Sequence, residues 1–241
     1  MPALICYNEI CTGGGTMNIE SYMEGLTEKL KAHFGQRLIY VGLQGSYLRG
    51  EANEESDIDV MTVIDGLCRA DLDAYRNIVL TAEEPDKACG FICGAAELKN
   101  WNPLEICHLL HSTKDYFGSL ETLVPSYTKA NIRDFIKVSV NNLYHEICHR
   151  YIYGGHESSV RKLPMAYKGV FFIVQNLYYL QTGIFVNKKA ELVKLLSGRS
   201  REVMERAMAI SEKREYDFEE SFDLLFMWCG EVALLTQNLS F

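Results

Sequence analysis

Residues 43–64 read LQGSYLRGEANEESDIDVMTVI. The run from Asp57 to Ile64 is rich in β-branched residues and ends at Asp65-Gly66, a turn signal, so it reads as a strand. Residues two apart on a strand share a face. Asp57, Asp59 and Met61 therefore point one way, and Ile58, Val60 and Thr62 the other. Two carboxylates on one face suit a pair of hard divalent cations such as magnesium, which prefer oxygen ligands and keep substrate phosphates in their shell. Just upstream, Gly45-Ser46 forms a turn that opens a short helix and offers backbone N–H groups to an anion. These are the parts of a site that holds a nucleoside triphosphate through divalent metal.

The remaining pattern divides the chain in two. Ile19, Met23, Leu26, Leu30 and Phe34 recur at helical spacing and predict a helix over 18–34. Arg37 to Leu43 has strand composition, and Leu72 to Thr81 is helical. Ala88 to Cys93 and Leu104 to Leu110 are expected to be strands. Alternation of helix and strand predicts an α/β unit with a mixed sheet. Beyond Pro125 the periodicity is helical throughout: 131–153, 163–182, 188–196, 201–210 and 218–236. This half is expected to be a helical bundle. The expected fold class is α+β, with an α/β domain over 18–125 and an all-α bundle over 126–241. Residues 1–17 are expected to be a disordered extension. An equally weighted reading takes Met17 as the natural start, with Gly13-Gly14-Gly15 translating a purine-rich ribosome-binding site.

Composition limits the partners. A net charge of −8 argues against extended nucleic acid and is compatible with a cationic small substrate. No apolar run approaches the roughly 18 residues a membrane helix needs. The eight cysteines are scattered through apolar segments and read as reduced thiols of a cytoplasmic protein.

Several residues outside the aspartate strand are drawn to the same chemistry. Glu105 sits in the apolar run Leu104-Glu105-Ile106-Cys107, where an acid needs a partner. It is the expected third carboxylate, as metal ligand or as acceptor of the nucleophile's proton. Glu97 is the alternative, in a context that looks like an exposed helix start. Arg49, one turn after Ser46, is within reach of phosphate, and Ser56 directly precedes the aspartate strand. Lys168, at an apolar helix start, is placed to close on a triphosphate from the second domain. For Glu105, Arg49 and Lys168 the plain reading is a solvated or snorkelling surface residue.

His145-Glu146-Ile147-Cys148-His149 spells a rival motif. Histidines at i and i+4 on a helix share a face and can bind zinc, with the glutamate as base. His156 lies one position too far on to be a well-spaced third ligand.

The pattern Gly-Ser, then Gly50, then Ser-Asp-Ile-Asp-Val resembles the nucleotidyltransferase superfamily that includes DNA polymerase beta. The segment AYKGVFFIVQNLYYLQTGIFVNKKAELVKLL is similar to the second domain of aminoglycoside nucleotidyltransferases of the kanamycin and streptomycin type. The resemblance is strong at 42–64 and weaker beyond 130. It implies transfer of a nucleoside monophosphate from ATP or another triphosphate, with two magnesium ions, to a hydroxyl of a small molecule such as an aminoglycoside-like antibiotic. Gly45 and Ser46 match the family's phosphate-binding pair, Asp57 and Asp59 its metal ligands, and Glu105 its third acidic position. Arg49, Ser56 and Lys168 join the nucleotide-holding set. A monomer or homodimer is expected. A non-catalytic nucleotide-binding regulator, or antitoxin-like partner, on the same fold is the second reading. A zinc hydrolase using His145, Glu146 and His149 is the third.

Overall fold

The computed structural model describes residues 17–237. The expected N-terminal extension, residues 1–17, lies almost wholly outside this range. The chain begins with α1 (Ile19–Phe34) and β1 (Leu38–Leu43), then α2 (Gly45–Arg49) and β2 (Ile58–Ile64). There follow α3 (Arg69–Val79), β3 (Ala88–Gly94), α4 (Ala95–Lys99), α5 (Pro103–His111) and β4 (Lys114–Phe117). From there the described chain is helical: α6 (Lys129–Tyr153), α7 (His156–Thr182), α8 (Lys189–Leu195), α9 (Gly198–Ser211) and α10 (Phe218–Gln237). Among the described residues no helix is long and apolar enough to cross a membrane.

The four strands run in the order β3-β2-β1-β4, with β2 and β3 parallel and the other pairs antiparallel. This is the expected mixed sheet. Asn18 starts α1 by accepting the N–H groups of Glu20 and Ser21 on its side chain. Met23, Leu26, Leu30 and Phe34 then bury one stripe of the helix against Val41, Leu43, Ile58, Val60 and Ile64 on the sheet. Each such side chain contributes about 1.5–3 kcal/mol on burial. The opposite sheet face packs Tyr40, Met61 and Val63 against Cys93, Leu98 and Leu120. A separate core, including Ile136, Val140, Tyr167, Val174 and Trp228, joins the C-terminal helices.

Two elements differ from expectation. Leu104 to Leu110 is the helix α5, not a strand. Asn102 accepts the Leu104 N–H and Pro103 occupies the first helical position, a start signal that outweighs the apolar run. The fourth strand is instead the short, half-exposed Lys114–Phe117. Second, α7 begins at His156 and passes straight through Pro164. Proline cannot donate to the carbonyl four residues back. That carbonyl belongs to Val160, and the Tyr216 hydroxyl donates to it at 3.3 Å. Lys168 therefore lies within the helix rather than at its start.

Candidate active site

The β1–α2 turn is locked onto β2. The Gln44 N–H donates to the Asp59 carbonyl at 2.8 Å, and the Gln44 side chain donates to Thr113 Oγ1 at 2.8 Å. Gly45 follows at φ +71°, a conformation that favours glycine. A Cβ added there would collide with the Asp59 carboxylate. The aspartate therefore lies directly over the turn, and only a residue without a side chain leaves it room.

Gly45, Ser46, Arg49, Ser56, Asp57, Asp59, Glu105 and Lys168 all line one cleft of about 770 Å³ between the sheet domain and the helices. All eight residues assigned to the nucleotide site in the sequence thus line one cleft. Ser56 is also a loop brace, its hydroxyl accepting the Asn53 N–H at 2.9 Å. Among the described residues neither Asp57 nor Asp59 forms an ion pair. Burial raises the Asp59 pKa above its ordinary value, the Asp57 charge raises it further, and Arg49 and the Cys89 thiol oppose both. Two unneutralised carboxylates that repel each other fit a hard divalent cation. No group of three His, Cys, Asp or Glu that could hold a metal occurs among the described residues.

The adjoining strand offers no carboxylate on this face, since Cys89 stands opposite Asp59 and Phe91 opposite Met61. Glu105 reaches the cleft from the first turn of α5 instead. Trp101 Nε1 donates to its Oε2 at 2.5 Å. Glu97 is on α4 and does not line the cleft, its carboxylate lying close over Gly94. His108, one turn beyond Glu105, is pushed down to about 4, chiefly by burial and then by the charge of Arg49. It is neutral at pH 7 and meets Phe172 edge-on at 5.0 Å.

Arg49 is only 14% exposed in its side chain and donates through Nε to Glu51 Oε2 at 3.0 Å. The Lys189 N–H, at the start of α8, donates to Glu51 Oε1 at 2.7 Å. Both cations stand 5.6 Å from the centre of the Phe171 ring. Burial lowers the Lys189 pKa, while the Glu51 charge resists. Lys189 was not singled out in the sequence, because a lysine at a polar helix start carries no mark of burial. Trp101, His108, Phe135 and Phe172 were likewise not singled out.

The rival motif sits elsewhere. His145 and His149 are exposed on α6 with ring centroids 5.9 Å apart, and Glu146 is ion-paired to Arg150 at 2.7 Å. Neither histidine lines the cleft.

Comparison with curated proteins gives no match. Among solved structures, the chain is similar to "spectinomycin adenyltransferase AAD(9) from Enterococcus faecialis", determined with ATP and spectinomycin. The identity is 14%, the TM-score 0.57, and the match covers 90% of this chain and 100% of that one. This likeness is one of fold. Residues 23–89, from within α1 to the start of β3, match the family model described as "Nucleotidyltransferase domain". The aspartate strand and the turn that precedes it fall inside that span, and the chain carries a nucleotidyltransferase domain.

Proposed function

We propose that the protein transfers a nucleoside monophosphate, from ATP in the first instance, to a hydroxyl of a small molecule. The observation that carries this reading is the convergence of the Gly45-Ser46 turn, two unpaired aspartates and the cations Arg49 and Lys168 on one cleft. Asp57 and Asp59 would hold magnesium, which neutralises the phosphates and polarises the reacting phosphorus when bound. Ser46 and the turn N–H groups bind and orient phosphate oxygens. Lys168, projecting from α7, neutralises the outer phosphates from the helical side. Glu105 accepts the acceptor's hydroxyl proton, and the Trp101 N–H fixes the direction of its carboxylate. The acceptor oxygen forms a bond to the α-phosphorus. The bond from that phosphorus to the α–β bridging oxygen breaks, and pyrophosphate leaves with its electron pair. Most of the rate in such a step comes from positioning and charge neutralisation.

The test is release of pyrophosphate from ATP with magnesium across a panel of hydroxyl compounds. Incorporation of the α-phosphate label into an acceptor supports transfer. Tight magnesium-dependent ATP binding with no release across the panel favours a nucleotide-binding regulator instead. A cytoplasmic setting is part of the same proposal, and assays are accordingly run under reducing conditions.

A further inference from the structure

The cleft forks. A second cavity of about 460 Å³ lies between α7, α8 and α9 and shares Arg49, Glu55, Lys168 and Phe172 with the first. In-line displacement places nucleotide and acceptor on opposite sides of the phosphorus. The α7–α9 branch adds Lys189 to the shared cations and is walled by Tyr167, Phe171, Met204 and Met208. Cations beside an apolar slot suit a polyphosphate and a planar base. The other branch, between α5, α6 and α7, is left for the acceptor.

That branch is walled by Trp101, Glu105, His108, Leu109, Phe135 and Phe172. A cavity of about 370 Å³ continues it between α6 and α7, past Ser139, Gly169 and Ile173. Its lining holds no charged side chain, and its one titratable group, His108, is neutral. Glu105 is the sole carboxylate of the acceptor branch among the described residues. Of the other acids on the cleft, Asp57 and Asp59 belong to the metal strand and Glu55 is bonded by Lys213 at 2.9 Å. The helical wall brings Phe135, Phe172 and Lys168, and no carboxylate among the described residues.

One ammonium group can pair with Glu105, but every further ammonium of a polycation loses water on entering such a branch and finds no partner. A flat apolar body stacks on the same walls. We propose that the acceptor is a hydroxyl compound with a planar or apolar body and at most one positive charge, not a polycationic aminoglycoside. This rests on the nucleotidyl-transfer reading.

The experiment is calorimetric titration of the full chain, saturated with magnesium and a non-hydrolysable ATP analogue. The probes are chloramphenicol, a neutral aryl diol, and kanamycin, a polycation. Chloramphenicol is expected to bind at least tenfold more tightly, and Phe135→Asp to narrow or reverse that ratio with nucleotide affinity unchanged. Kanamycin binding equally well, chloramphenicol not binding to the nucleotide complex, or a ratio unmoved by Phe135→Asp each overturns the proposal. Near-wild-type nucleotide affinity in Phe135→Asp reports that the variant has folded. Failure of the nucleotide analogue itself to bind overturns the transfer reading, and the acceptor class with it, and is seen in the first titration.

Discussion

The carboxylate of Asp59 lies against the α-carbon of Gly45, so closely that no side chain fits between strand and turn. Gly45→Ala is expected to push the carboxylate aside and to strain a backbone held at φ +71°. Affinity for magnesium and ATP should fall at least tenfold, with a loss of about 1–3 kcal/mol in stability. Gly50→Ala is the control. It has φ +66° but open space around it, so stability should drop by about 1 kcal/mol with nucleotide affinity retained. Calorimetric titration and thermal melts distinguish the two.

Asp59→Asn should abolish transfer and yet stabilise the metal-free protein near pH 7. A carboxylate whose folded pKa is raised binds its proton more tightly folded than unfolded. Its ionisation therefore works against folding above the ordinary carboxylate range, and the neutral amide removes that opposition. Melting temperatures with and without magnesium should show a higher value for the variant only when the metal is absent. Asp57→Asn removes the like charge, so any residual metal binding should persist to lower pH than in the wild type.

His108 makes stability depend on pH in the opposite direction. Its folded pKa, about 4, lies below its ordinary value of 6.5. The unfolded chain takes up the proton first, so the contribution is full above pH 6.5 and is lost as pH falls toward 4. The expected loss is on the order of 3 kcal/mol. Denaturant melts at pH 7 and pH 4.5 should differ by less in His108→Gln.

Trp101→Phe removes the donor to Glu105 and keeps the aromatic wall. If Glu105 takes the proton, kcat should fall about tenfold with KM for ATP little changed, and the pH profile should shift. A rise confined to KM, with kcat unchanged, would show that Trp101 only shapes the cleft.

The sheet domain was largely legible because its signals are local. The β-branched aspartate strand, the Gly-Ser turn and the helical stripe of α1 depend on near neighbours in the sequence. The run around Glu105 was misread because four of its seven residues are aliphatic and their spacing fits either period, while the Asn102-Pro103 start signal was passed over. Lys114–Phe117 was missed because a short edge strand has no alternation to show. The α7 boundary moved because Tyr216, far along the chain, satisfies the carbonyl that Pro164 leaves open. Lys189 became visible only in the fold, since its burial comes from Phe171 and Glu51 in other elements.

The bond from the Lys189 N–H to Glu51 joins two parts of the molecule 138 residues apart. Glu51 also holds Arg49, at the end of α2. The turn and the start of α8 therefore share one anchor. By reciprocity, whatever tightens the turn must steady α8 by the same free energy, and whatever loosens α8 must weaken the turn's hold on its ligand. The helical half is thus a thermodynamic partner of the β1–α2 turn, and a substitution in α8 can shift the turn without touching it.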